Sequence, residues 1–235
     1  MKTNEELSDE IGSFKDLWKG GTTLAKNGWD CVAKQRDINS IYEICIEPYV
    51  NDESNVLEIG CNGGGWTRRM LQAKTVTCFD ALSAKHTGFW NNISVNQTNV
   101  KYHHVNDFNC NELEDNSIDY VFSYDVFCHI SYSGTKAYLE NLYKKLTNGT
   151  NLFIMIADID KYKDLAGLHS LRKRAGFKTI QELVDDYDGE AKNGRWFFYG
   201  IDRFCDLLND SGYQLVNRDV MGDKDPRSPT IHFKK

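Results

Sequence analysis

Apolar residues along this chain fall into short continuous runs that alternate with stretches of helical spacing. Residues 56–59, 75–79, 119–123 and 152–156 carry such runs at strand length, and 101–105 is a more polar segment of the same length, each bounded by polar or glycine-bearing segments. Helices are expected over 65–73 and 134–146 between them. Upstream, Ile38, Ile41, Tyr42, Cys45 and Ile46 recur at helical spacing and predict an amphipathic helix over 34–48, leading into Pro48. Strands alternating with helices imply an α/β fold, a parallel sheet with crossovers on both faces. Residues 159–200 break the rhythm with charge and aromatics, which predicts an insertion covering one end of the sheet. Strand pattern returns at 213–216 and 230–233, two segments that can pair antiparallel at the sheet edge. The expected organisation is an N-terminal helical cap segment over 1–50 and one domain over 51–235.

Composition narrows the function classes. At 235 residues and 40% hydrophobic, the chain can bury one substantial core. A net charge of -6 argues against binding polymeric nucleic acid, and Arg172-Lys173-Arg174 reads as a solvated helix face. Seven widely spaced cysteines with no Cys-x-x-Cys read as free thiols in a reducing compartment. The first residues carry no apolar signal-like region, and no run of about 18 apolar residues occurs. A soluble, cytoplasmic monomer or homodimer with no membrane partner is expected.

The most informative segment is 55–67, where Val56, Leu57 and Ile59 lead through Glu58 into Gly60-Cys61-Asn62-Gly63-Gly64 and then Gly65-Trp66-Thr67. Glycines after a buried strand let the backbone turn sharply and approach a ligand with no intervening Cβ. Asp80 ends the second strand about 20 residues further on, where a carboxylate can accept both hydroxyls of a ribose. A helix N-cap is the structural alternative for it. Neither a dinucleotide fingerprint nor a Gly-Lys-Ser/Thr phosphate loop is present.

The run of hydrophobic, acidic and glycine positions at 56–64 resembles the first motif of class I S-adenosylmethionine-dependent methyltransferases. Asn62 stands where the middle glycine usually stands, and Asn enters the left-handed region more readily than most residues. Asp80-Ala81, Asn106-Asp107-Phe108 and the segment 116–123 continue the resemblance across residues 55–156. It implies a Rossmann-like doubly wound sheet of seven strands, with an antiparallel C-terminal edge hairpin, N-terminal helices and a covering insertion. It also implies S-adenosylmethionine as cofactor and S-adenosylhomocysteine as product, held by Glu58, Gly60, Cys61, Asn62, Gly63, Gly64, Trp66, Asp80, Ala81, Asp107, Phe108 and Tyr124. Glu58 would serve the methionine end, Asp107 the adenine amino group, and Phe108 would cover the adenine ring. In such enzymes N-terminal segments often close over the cofactor, which is one reading of Trp18 and Trp29; packing is the other.

The acceptor reaches the methyl group at the carboxyl ends of strands 4 and 5 in this fold. His129 is a candidate general base there, with a structural hydrogen bond as the alternative. Asp125 is a second base candidate or the partner that orients His129, since a four-residue spacing puts both on one face if the stretch is helical. Arg195, Trp196 and Tyr199 in the covering region are candidate acceptor contacts, with packing as the competing account. Asp158 and Asp160 with Asp125 could approach a metal, but the usual acidic pair after strand 5 is missing, and no metal is expected. His103 and His104 read as structural. The sequence reading is therefore transfer of a methyl group to a small molecule, directed to oxygen on a sugar, nucleotide-linked sugar or metabolite. N-methylation of a small amine or amide, and a catalytically silent cofactor-binding subunit, are the alternatives.

Overall fold

A computed structural model describes residues 1–17, 37–158, 161, 178–179, 182, 190, 197–225 and 228–235. Helix α1 spans Asn4–Leu17, and a short α2 at Ile38–Ile41 runs into a π-helical turn at Tyr42–Ile46. Asp37 caps α2 by accepting from the Ser40 N–H. Then come β1 (Asn55–Ile59), β2 (Thr75–Asp80), α3 (Ala84–Thr87), α4 (Phe89–Asn92), β3 (Val100–His104) and β4 (Ile118–Ser123). The chain closes with α5 (Tyr132–Tyr143), β5 (Leu146–Met155), α6 (Ile201–Asp210), β6 (Gln214–Asn217) and β7 (Thr230–Lys234).

The strands form one sheet in the order β3-β2-β1-β4-β5-β7-β6. The first five are parallel, and β7 enters antiparallel between β5 and β6. Side-chain alternation divides the core in two. Leu57, Ile59, Val121, Leu152, Ile154, Ile231 and Phe233 pack with residues of α1, α5 and α6. Val56, Val76, Cys78, Tyr120, Phe122 and Phe153 pack with α2, its π-helical turn, and the Phe89–Ile93 region. Each fully buried aromatic in these layers stabilises the fold by on the order of 2–3 kcal/mol relative to exposure.

One predicted element is largely absent. The helix expected over 65–73 reduces to a single 3₁₀ turn, Thr67–Arg69. Gly63, Gly64 and Gly65 favour helix poorly, Gly64 sits at φ +79°, and the Thr67 hydroxyl is tied to Glu58 rather than left to a helix face. β5 also starts six residues earlier than the apolar run suggested, because its first half carries polar side chains on a ladder still paired to β4 and β7. Among the described residues no helix is long and apolar enough to cross a membrane. The described cysteines are free thiols.

Candidate active site

The loops that follow β1, β2, β3 and β4 lie side by side along the carboxyl edge of the sheet. Gly60, Asn62, Gly63, Ala81, Asp107, Asp125 and His129 all sit on these loops, half-buried, while the residues just below them are buried.

The turn after β1 takes the left-handed region at Gly60 (φ +77°), Asn62 (φ +46°) and Gly64 (φ +79°), so Asn62 does adopt the glycine-like conformation expected of it. Space constrains the turn as much as dihedrals. A Cβ on Gly60 would lie 2.1 Å from Val126 Cγ2, and one on Gly64 would lie 2.7 Å from Ile93 Cγ1. Asn92 Nδ2 donates to the Gly63 carbonyl at 2.8 Å, bracing the turn from α4.

Two buried carboxyls flank this turn. Asp80 Oδ2 accepts from the Asn62 N–H at 2.7 Å and Oδ1 accepts from the Leu82 N–H at 2.8 Å. Ser83, not Asp80, caps the following helix, so the N-cap alternative for Asp80 falls away. Burial pushes the Asp80 carboxyl up to about 6, against the pull of the Leu82 and Asn62 amides. A carboxylate offers about four lone-pair positions, so acceptor capacity remains for the two hydroxyls of a ribose. Glu58 is 2% exposed and its Oε2 accepts the Thr67 hydroxyl at 2.5 Å, with the Cys78 thiol at 3.9 Å. Burial raises its carboxyl to about 8; the Thr67 hydroxyl opposes this and the charge of Asp80 adds to it. Cys61 lies beneath the turn, its thiol pushed well up by burial.

At β3, Asp107 Oδ1 accepts from the Asn109 N–H at 2.9 Å in an Asx turn. The neighbouring Phe108 is buried, its ring 5.4 Å from Tyr138 and against Gly134. His103 lies edge-on to Phe79, and His104 Nε2 is 3.1 Å from the Ala81 carbonyl.

The tip of β4 is held from several directions. The Tyr124 hydroxyl donates to Asp225 Oδ2 at 2.5 Å, and its ring lies 5.6 Å from Trp66 and 6.3 Å from Phe122. Asp125 adopts φ +60°, and only residues 127–129 are helical, as a 3₁₀ turn. The continuous helix that would have stacked Asp125 on His129 is therefore not formed. The Phe197 N–H donates to the Cys128 carbonyl at 2.8 Å, and the Tyr199 hydroxyl donates to the Phe127 carbonyl at 3.3 Å. Tyr199 is 3% exposed, with its hydroxyl also against Thr135 at 3.3 Å. Its hydroxyl thereby supports the turn that carries His129. Arg195, Trp196 and Asp160 lie outside the described residues, as do Trp18 and Trp29. Among the described residues no group of three or more His, Cys, Asp or Glu is placed to hold a metal ion.

Sequence reasoning located both buried carboxyls but missed Asp225, Thr67 as the partner of Glu58, and Val126 as the wall against Gly60. Asp225 carries no local signal, being 101 residues from Tyr124. A nucleoside with a cationic amino-acid tail fits this edge: a glycine turn with no room for Cβ, an acid with spare acceptor capacity beside it, and a second acid one strand away.

Comparison with known proteins agrees. A family profile described as a methyltransferase domain matches residues 45–218. No curated protein gives a significant match. Among solved structures, the DhpI-SAM-HEP complex matches with TM-score 0.64 at 17% identity, covering 100% of both chains. The methyltransferase of a Haloferax volcanii complex with the Trm112 activator matches with TM-score 0.63 at 11% identity, over 90% of this chain and 96% of that one. A Methanosarcina mazei S-adenosylmethionine-dependent methyltransferase matches with TM-score 0.57 at 15% identity, over 81% and 96%. These likenesses carry the fold, and the profile carries the family: the chain belongs to the methyltransferase domain family, of the class I S-adenosylmethionine-dependent kind.

Proposed function

We propose that this methyltransferase acts on a small hydroxyl-bearing molecule, a sugar, nucleotide-linked sugar or metabolite, and methylates oxygen. The observation that carries this reading is the convergence of three elements on residues 124–131: α1, the segment 197–199, and the loop before β7. A turn bonded on so many sides favours a small acceptor over a polymer, and the net charge of -6 supports the same choice.

S-adenosylmethionine supplies a methyl carbon already activated by its sulfonium, so alignment of the nucleophile and exclusion of water are the protein's main tasks. Asp80 would accept the ribose hydroxyls, the 60–64 turn would pass close to the amino-acid tail, and Glu58 would set the charge beneath it. Ala81 and Asp107 would border the base, and Trp66 and Tyr124 would wall the site from the β4 side. His129 would accept the acceptor's hydroxyl proton as its oxygen forms the new bond to carbon and the sulfur leaves as a neutral thioether. Asp125, in its left-handed backbone, would border the same space; such outliers collect at functional sites.

Calorimetry with S-adenosylmethionine and S-adenosylhomocysteine is the first test, and absence of binding by both would sink the enzymatic reading. Turnover against sugars, phosphorylated metabolites and amines then separates O- from N-methylation. Asp80→Ala is expected to weaken cofactor binding by about 30-fold, the equivalent of two lost hydrogen bonds at about 1 kcal/mol each. His129→Ala is expected to leave affinity within threefold and lower the rate by about 100-fold. Unchanged turnover in the histidine variant would retire His129 as the base.

A further inference from the structure

We propose that Glu10 is a positioning residue for methyl transfer: it reaches across from α1 to fix the turn that carries His129. The proposal rests on the acceptor-side role given above to residues 125–129.

Glu10 is a buried acid outside the residues assigned above to the cofactor, its side chain 4% exposed. Oε1 accepts the Ser131 N–H at 2.7 Å, and Oε2 pairs with Lys2 Nζ at 2.6 Å. Ser131 is the N-cap of α5, and its own hydroxyl is engaged with the Gly134 N–H at 3.1 Å. The amide of the cap residue therefore needs an outside acceptor, and a carboxylate is the best one at the positive end of a twelve-residue helix. Two residues upstream stands His129, last residue of the 3₁₀ turn, with its backbone N–H on the Val126 carbonyl at 2.8 Å. Val126 in turn packs on the Gly60 position. A contact from the N-terminal helix thus fixes one end of a short segment whose other end abuts the glycine turn.

The surrounding contacts reinforce this placement. The Lys2 backbone N–H donates to Ser133 Oγ at 2.9 Å, which itself donates to Glu190 Oε1 at 2.6 Å. Lys2 Nζ also lies 4.9 Å over the Phe197 ring. Helix α1 is held independently by Ile11 and Phe14 in the core, so loss of the Glu10 carboxylate should release the turn without detaching the helix.

Hydrogen–deuterium exchange on the full chain, with and without S-adenosylhomocysteine, tests this with Glu10→Ala and Glu10→Gln. The glutamine keeps an oxygen for the Ser131 N–H. In the alanine variant, amides of 127–133 are expected to exchange at least tenfold faster, while those of the 58–67 segment and the S-adenosylhomocysteine affinity stay within threefold of wild type. The glutamine variant is expected to restore protection at 127–133, and turnover in the acceptor panel should follow the same order. Unchanged exchange at 127–133 in the alanine variant overturns the proposal. So does faster exchange spread evenly over the sheet with weakened ligand binding, which marks Glu10 as a general stabiliser. Failure of the wild-type protein to bind S-adenosylhomocysteine would count against the proposed function instead, with the exchange comparison still reading the Glu10 contact.

Discussion

Gly60→Ala is expected to weaken S-adenosylmethionine binding by roughly 1000-fold and to lower the melting temperature. Two costs combine. Alanine at φ +77° enters a region where its Cβ crowds the following carbonyl, at about 1–2 kcal/mol. The same Cβ would lie 2.1 Å from Val126 Cγ2 and 2.8 Å from Cγ1, so Val126 must move, at about 1–3 kcal/mol for an overpacked site. If the competent turn becomes less favourable by about 4 kcal/mol, apparent affinity falls by roughly 1000-fold. Whatever share of that strain the ligand-free fold retains lowers the melting temperature instead of the affinity, at roughly 3 °C per kcal/mol for a chain of 235 residues. Adding Val126→Ala removes both methyl overlaps but leaves the residue-126 Cβ at 2.9 Å and the dihedral strain, so the double variant should recover part of the stability. Calorimetry and thermal scans check both effects. Affinity within threefold of wild type would show that the turn does not need this geometry to hold the ligand.

How much of this was legible beforehand depended on the range of each interaction. The central parallel strands were readable because a strand buried on both faces is mostly apolar, as 152–156 is throughout and 120–122 at its centre, whereas β3 at the sheet edge is only partly buried. The C-terminal hairpin was readable from two short runs, although β6 is exposed along its length and is placed by pairing with β7 rather than by burial. The glycine turn and the acids at 58 and 80 were readable because the fold fixes their separation along one strand and one crossover. The acceptor side was not. Asp125 and His129 share a spacing that suits a helix, but the chain leaves β4 through a left-handed residue, and no local propensity reports that. Tyr199 was a candidate contact because it lies near Arg195 and Trp196 in the covering segment, and no local signal reports that its hydroxyl meets the Phe127 carbonyl. Glu10 falls on the apolar face with Leu7, Ile11 and Phe14, but nothing in the sequence names its distant partner Ser131.

The buried acid at 58 makes the protein's stability depend on pH in an unusual direction, and Glu58→Gln is expected to remove most of that dependence. The carboxyl is raised from 4.5 to about 8 and that of Asp80 from 3.8 to about 6, both chiefly by burial. Between the ordinary and raised values the native state binds more protons than the unfolded chain, so unfolding free energy decreases as pH rises. The stabilising contribution is complete below pH 4.5 and is lost as pH rises through about 8 for Glu58. Without cofactor, the wild-type protein should lose about 3–5 kcal/mol from this group across that window. Glutamine keeps an oxygen for the Thr67 hydroxyl and carries no ionisable proton, so its curve should flatten, leaving the smaller decline from Asp80 near pH 6. Urea denaturation at pH 5, 6.5 and 8 reads this directly, with the variant more stable than wild type at pH 8 and comparable to it at pH 5. The dependence also bears on binding. A neutral Glu58 gains its charge when a cation is brought beside it, so S-adenosylmethionine binding at pH 7 should release a proton, seen as an enthalpy that varies with buffer ionisation heat. Parallel stability curves for the two proteins would show that Glu58 is already ionised in the ligand-free fold and would remove the basis for that coupling.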